Sequence, residues 1–319
     1  MQSKVLKIGT RESQLAVWQA TRVKELLYLN GFESELVYIK SEGDVDLQTP
    51  LYEMGVQGIF TRSLDIALLT GRIDLAVHSM KDVPTRLPER IIQSAVLERG
   101  SFKDLLVFKD RALMDQWQVS AASIFPDPVL SGVIATSSIR RQAQWLNRYP
   151  GHTVENLRGN VNTRLTKLAE SEWDAAIFAA AGLERINLRP ENSLELDWML
   201  PAPAQGAIVV VCKEDDQYAF EACQPFNHVE TALCTRVEKD FLRALMGGCS
   251  TPISALARIN SDQIVFTGNI FSVDGKHKVE ITRQSGLNDA AELGAGAAAE
   301  LLENGGQAIA DTIQHERTY

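Results

Sequence analysis

Two distant stretches of the chain carry the same plan. Thr61–Ser79, TRSLDIALLTGRIDLAVHS, opens with Thr-Arg, runs through an amphipathic helix pattern, and reaches an aspartate that precedes an apolar strand. Thr163–Ala180, TRLTKLAESEWDAAIFAA, does the same. Arg62 and Asp74 stand twelve positions apart, Arg164 and Asp174 ten, so the two align only with a small gap. A helix that hands its chain to a buried strand needs a sheet to receive that strand, which narrows the fold to α/β architectures. Two readings fit the echo. Any two helix–strand units share such a pattern, or the chain folds into two similar lobes with a cleft between them, a common place for a ligand.

The rest of the first half alternates in the same way. Val5–Ile8 and Glu35–Ile39 read as strands, Ser13 as the cap of a helix, Arg62–Leu69 as a helix, and Asp74–His78 as a buried strand. This predicts a mostly parallel sheet. Leu113–Pro128 reads as a loop, and Leu194–Ala204, with Pro201 and Pro203, as a return crossing between lobes. After Pro225 the character changes. Thr231–Leu245 reads as a helix, Gln263–Arg283 as a hairpin turning at Asp274-Gly275, and Asp289–Leu302 as a last, alanine-rich helix. The 319 residues suffice for three domains. The expected division is 1–97 with 203–224 as a first α/β lobe, 98–202 as a second, and 225–319 as a small α+β domain.

Net charge and cysteine spacing exclude several classes of function. A net charge of −9 argues against a general binder of nucleic acid or membrane surfaces. No apolar run is long enough to span a bilayer, and MQSKVLKIGT carries no apolar signal core. Cys212, Cys223, Cys234 and Cys249 form no CxxC pair, and the histidines no HExxH spacing. The expectation is therefore a reduced, cytoplasmic setting without a metal site.

Charge concentrates where strands meet helices. In ATSSIRRQAQ a strand ends in Thr136 and Ser138, and Arg140 and Arg141 enter a helix. Hydroxyls and free amides at a helix start bind anions, and arginines add forked donors; the alternative is a solvated basic helix start. LRGNVNTRL repeats the logic with Arg158, Gly159, the capping residue Asn160 and Arg164, and GTRESQLAVWQA does so with Arg11 and Ser13. Three such junctions on an acidic chain suggest a local cationic cleft for a ligand with several carboxylates or phosphates. No P-loop and no strand-following GxGxxG is present, which disfavours a nucleotide. AVHSMKDVP puts Ser79, Lys81 and Asp82 just past a buried strand, where α/β sheets bind ligands. Asp82 there can move protons or steady a cation, while Lys81 can equally form an ordinary loop ion pair. Finally, MGGCSTP sets Cys249 behind two glycines and ahead of Pro252. The thiol is either presented on a bare turn or buried as a small hydrophobe.

Together IGTRESQLAVWQA, GDVDLQTPL, DLAVHSMKDVP, TSSIRRQ, LRGNVNTRL, DAAIFAAAGLERI, LPAPAQGA and GGCSTPI make the chain resemble the porphobilinogen deaminase (hydroxymethylbilane synthase) family over nearly its whole length. The resemblance implies two lobes like those of periplasmic binding proteins, plus a third domain with a cysteine loop. It implies a transferase of tetrapyrrole biosynthesis that condenses four porphobilinogens with release of ammonia. A dipyrromethane cofactor is then held through a thioether to Cys249. Asp82 matches the catalytic carboxylate. Arg11, Arg140, Arg141, Arg158, Arg164 and Arg185 match carboxylate-binding positions, and Ser13, Ser79, Lys81, Thr136, Ser138 and Gln205 match hydrogen-bonding ones. The implied partner is the small-molecule substrate, with no nucleic acid or membrane, and the implied state is a monomer. Departures stand at Gln57 and Lys239, where lysine and arginine are usual, at Arg62 where lysine is common, and at Ala204 and Val211 where glycine and glutamate are common. Two rivals remain: a non-catalytic anion binder of the same architecture, which has no use for a Gly-Gly-Cys loop, and a ligand-sensing regulator, for which no basic helix-turn-helix segment is evident.

Overall fold

The computed structural model describes residues 4–40, 61–121, 132–245 and 251–316. Gln57 and Cys249 lie outside the described residues. The first third of the chain forms β1 (Leu6–Thr10), α1 (Gln14–Leu29), β2 (Ser34–Tyr38), α2 (Arg62–Leu69), β3 (Leu75–Ser79) and β4 (Ile91–Val96). The middle third forms β5 (Asp104–Phe108), α3 (Arg111–Ala121), β6 (Val133–Ala135), α4 (Ile139–Arg148), β7 (Thr153–Glu155), α5 (Val161–Glu170), β8 (Ala175–Ala179), α6 (Ala180–Glu184) and β9 (Ser193–Glu195). The chain then returns as β10 (Ile208–Lys213) and α7 (Gln217–Cys223), and continues into α8 (Val229–Ala244), β11 (Ile253–Asn260), β12 (Gln263–Phe271), β13 (Lys278–Gly286), α9 (Leu293–Leu301) and α10 (Gln307–Glu316).

Two five-stranded sheets have the same plan. The first runs β2-β1-β3-β10-β4 and the second β7-β6-β8-β5-β9. In each, the first three strands are parallel and the last two pair antiparallel. Four strands of each sheet therefore run the same way and one, β10 or β5, runs against its two neighbours, so each sheet is mostly parallel with one antiparallel strand. β10 reaches the first sheet after the chain has built the second, and enters it antiparallel to β3 and β4. The chain is an α/β protein of two lobes with a small α+β domain of β11-β12-β13 and its helices.

The echo in the sequence marks equivalent parts of the two lobes. α2 leads to β3 and α5 to β8, the central strands of their sheets. Both aspartates do the same work. Lys7 N–H donates to Asp74 Oδ2 at 2.8 Å, and Val133 N–H to Asp174 Oδ2 at 2.7 Å. The Asp74 and Asp174 amides donate back to the Lys7 and Val133 carbonyls, each at 2.9 Å. Each pair closes the start of its sheet by satisfying backbone groups that the strand ends leave over.

Two element expectations need correction. The stretch from Leu113 begins inside α3, not a loop. Asp110 Oδ1 accepts from Leu113 N–H at 2.9 Å, Arg111 pairs with Asp115 one turn on, and Trp117 stacks on Trp145 with centroids 5.6 Å apart. Tertiary aromatic packing selects the helix. Residues 122–128 of that stretch lie outside the described residues. Nor does the chain's last helix end at Leu302. Gly305, at φ 103°, lets the backbone kink, and α10 follows with Ile309, Ala310 and Ile313 buried in the third core. The hairpin at Asp274-Gly275 forms as expected from β12 and β13. No helix among the described residues is long and apolar enough to cross a membrane.

Candidate active site

The carboxyl end of β3 begins the site. Buried Leu75–His78 anchor the strand, and a single 3₁₀ turn, Met80–Asp82, follows. Met80 N–H donates to Ala207 O at 3.0 Å, so the turn is fastened to the return crossing. Ser79 is held from behind: the buried Gln19 of α1 donates Nε2–H to its Oγ at 2.8 Å. Asp82 is half-buried. Lys81 donates to Gln205 Oε1 at 3.3 Å. Burial, then the Arg141 guanidinium, push the Lys81 ammonium down to about 8, against the pull of Asp82 and Asp104.

The second lobe supplies the guanidiniums. Ser138 caps α4 by accepting from Arg141 N–H, and Thr136 Oγ1 accepts from Ser138 N–H at 3.2 Å, so these two hydroxyls shape the junction. Arg140 and Arg141 are buried against a residue the sequence reading missed, Asp104, which is 0% exposed. Arg140 Nη2 and Arg141 Nη2 each donate to it at 2.8 Å. Arg141 Nη1 donates to Ile177 O, and Gln205 Nε2 donates to Asp104 Oδ1 at 2.8 Å. Burial alone would raise the Asp104 pKa, but Arg140 and Arg141 outweigh it and hold the carboxyl well below the usual range. Arg140 Nε is buried with no partner among the described residues. A sequence signal for Asp104 exists in hindsight: an aspartate opens the wholly buried strand DLLVF, where a charge needs a partner.

Arg164 and Arg158 flank this group. Asn160 caps α5 as expected, accepting from Thr163 N–H at 3.0 Å. Arg164 Nε donates to Gly159 O at 2.8 Å. Burial, then Arg141, lower Arg164 to about 10, while Asp82 across the cleft favours its charge and Arg158 opposes it. Around Asp82 and Asp104 thus stand Lys81, Arg140, Arg141, Arg158 and Arg164. Such a surplus of buried positive charge suits an anionic ligand.

Other expected residues take different places. Ser13 caps α1, accepting from Ala16 N–H at 3.4 Å. Arg11 lies near His78; burial, then Arg11 and Lys239, push His78 down to about 3 and keep the imidazole neutral. Arg185 spans the lobes, donating Nη2–H to Gly206 O at 2.6 Å with its guanidinium 5.7 Å over the Trp18 ring. Cys212, Cys223 and Cys234 are buried, and burial pushes their thiols up to about 11, 12 and 11. They are poor nucleophiles at neutral pH.

The third domain grips the crossings between the lobes. Glu238 of α8, 0% exposed, pairs with Arg99 at 2.6 Å and accepts from the amides of Ala204 at 2.6 Å and Ala257 at 2.8 Å. Ala204 has φ 62°, the left-handed region, which accounts for glycine being common at that position. Gly206 has φ 87°, and a Cβ there would lie 2.7 Å from the Gly100 carbonyl of the other crossing. The charged pattern of α8 reads as a solvated face, so neither Glu238 nor Arg99 carries a local signal.

Comparison with known proteins finds relatives over nearly the whole chain. Residues 6–221 match a family described as porphobilinogen deaminase, dipyromethane cofactor binding domain, and residues 232–303 match the porphobilinogen deaminase C-terminal domain. The porphobilinogen deaminase of Geobacter sulfurreducens is 40% identical over 98% of this chain and 96% of its own. That of Trichlorobacter lovleyi is 39% identical over 98% of each. A nutrient binding protein from Burkholderia cenocepacia aligns over 69% of this chain and 90% of its own, at 12% identity and a TM-score of 0.41.

Proposed function

The chain belongs to the porphobilinogen deaminase family, and on that premise we propose how its residues perform the reaction. It condenses four porphobilinogens head to tail with release of ammonia, giving the linear tetrapyrrole hydroxymethylbilane for tetrapyrrole biosynthesis. The observation that carries the reading is the meeting of a half-buried acid from one lobe with a cluster of buried guanidiniums from the other.

The residues fit the family's cofactor. Each pyrrole carries an acetate and a propionate, and the cleft offers cationic donors with one guanidinium N–H, Arg140 Nε, still unpartnered among the described residues. Cys249 would hold the dipyrromethane by a thioether, and Ser79, Lys81, Asp82, Thr136, Ser138, Arg140, Arg141, Arg164 and Gln205 would bind it. When bound, it supplies the pyrrole carbon that primes the condensation. Arg141, its N–H groups committed to Asp104 and Ile177, acts through its charge more than as a direct fork. Arg11, Ser13, Arg158 and Arg185 would bind the incoming substrate.

Asp82 does the chemistry. The aminomethyl group reacts as its ammonium: the carbon–nitrogen bond breaks, ammonia leaves with the bonding electron pair, and a positively charged methylene-pyrrole remains. The Asp82 carboxylate faces the pyrrole N–H and stabilises that positive charge; the new carbon–carbon bond then displaces a ring proton, which the same carboxylate can take. The enzyme works as a cytoplasmic monomer. The test is intact mass under denaturing conditions for the native protein and Cys249→Ser, with ammonia release from porphobilinogen. A two-pyrrole adduct on the first and none on the second supports the reading. A native chain that neither acquires an adduct from porphobilinogen nor releases ammonia is the anion binder instead.

A further inference from the structure

The acid's turn is held from a third direction. Lys239 of α8, 9% exposed, reaches out of the third domain into the first lobe and donates Nζ–H to the Val83 carbonyl, with Pro84 O at 3.4 Å. These carbonyls directly follow Asp82. A buried ammonium is costly to strand, so its acceptors are held firmly where it lies. The neighbouring His78 is neutral and does not repel it. Glu238, the residue beside Lys239, fastens the same helix to Arg99 and to the Ala204 amide of the return crossing. α8 ends at Ala244, five positions before Cys249.

We propose that Lys239 is a positioning residue for Asp82: through its ammonium on the Val83 and Pro84 carbonyls, the helix that leads to Cys249 fixes where the reacting carboxylate sits. The inference rests on the reading of Asp82 given above. Without the tie, the 3₁₀ turn is still held by Met80 N–H to Ala207 O, Val83 N–H to Met80 O and Lys81 to Gln205, but the carbonyls that directly follow Asp82 lose their anchor to α8. The carboxylate then samples positions of which few are productive, and a misplacement of about 1 Å costs on the order of 100-fold.

The test compares the native enzyme with Lys239→Met, which keeps the length and removes the charge, and Lys239→Arg, which keeps a cation. Hydrogen exchange, read without substrate, should quicken about tenfold for the amides of residues 80–83 in Lys239→Met, while β3 is unchanged and Lys239→Arg restores protection. In protein shown by mass to carry the adduct, kcat should fall about 10- to 100-fold with KM within about twofold, and Lys239→Arg should recover most of it. In an Asp82→Asn background, Lys239→Met should lower the residual rate by less than about threefold, since the two act as one. Unchanged exchange at 80–83, or a folded, adduct-bearing Lys239→Met with native kcat, overturns the proposal. A purely structural lysine would lower the melting temperature and leave kcat of the folded protein alone. Failure of the underlying reading shows separately, as a native chain without adduct or turnover.

Discussion

Aligned by sheet register, Ser79-Met80-Lys81-Asp82 of the first lobe falls on Ala179-Ala180-Ala181-Gly182 of the second, because Ser79 faces Ile208 in β10 as Ala179 faces Asp104 in β5. Both lobes share a sheet order, an aspartate that closes the first strand, and a serine capping the helix that follows it. The polar groups are divided in opposite ways. The first lobe ends its central strand in a lysine and an acid, with Ile208 beside them. The second ends its own in alanine, and puts its carboxylate at Asp104, under Arg140 and Arg141. One scaffold thus presents a half-buried acid, the proposed reacting group, in one copy and a buried counter-ion for guanidiniums in the other. What the fold repeats is the position; the chemistry is set by a handful of strand-end residues.

The comparison breaks most visibly at Asp104. Asp104→Asn leaves two buried guanidiniums without their anion and should cost about 3–5 kcal/mol of stability, read by denaturant unfolding. The counterpart change, Ile208→Val, should cost only about 0.5–1.5 kcal/mol. Because the folded-state pKa of Asp104 is depressed, its contribution is present above the ordinary carboxylate range and lost as pH falls below it, so the gap between native protein and Asp104→Asn should close in acid. Equal costs at the two positions would mean that Asp104 is an ordinary core residue.

Lys81 sharpens the contrast through pH. Its pKa is lowered to about 8, so the ammonium is lost as pH rises through that value. Acquisition of the two-pyrrole adduct from porphobilinogen by protein that lacks it should then slow about tenfold on the alkaline side, the worth of one charge-assisted bond, and Lys81→Gln should flatten that limb. An unchanged alkaline limb in Lys81→Gln would assign the titration elsewhere. The smallest effect belongs to Gly182, the register partner of Asp82. An added Cβ would lie 3.8 Å from Leu15 and 3.9 Å from Val161, ordinary contacts. Gly182→Ala should change stability by no more than about 0.5 kcal/mol and leave kcat alone, as checked by melting and steady-state rates.

Much of this was legible beforehand, for a physical reason. Caps and strand ends are local: Ser13 and Asn160 announce their helices, and the Thr-Arg to Asp echo marks equivalent units because both aspartates satisfy the same backbone groups. What was illegible depends on distant partners. β10 is antiparallel because it returns from the other lobe. α3 is a helix because Trp117 finds Trp145. Asp104, Glu238 and the reach of Lys239 gain meaning only once β5, the crossings and α8 meet. The family resemblance supplied Asp82 and the arginines, but not the acid beneath Arg140 and Arg141.

The division of labour is tested most directly by ammonia release from Asp82→Asn protein already shown by mass to carry its two-pyrrole adduct. A loss of about 100- to 1,000-fold with the adduct intact is expected, the effect of removing one preorganised charge from a reacting centre. A loaded Asp82→Asn enzyme that turns over at the native rate would contradict it and move the chemistry away from the first lobe's strand end.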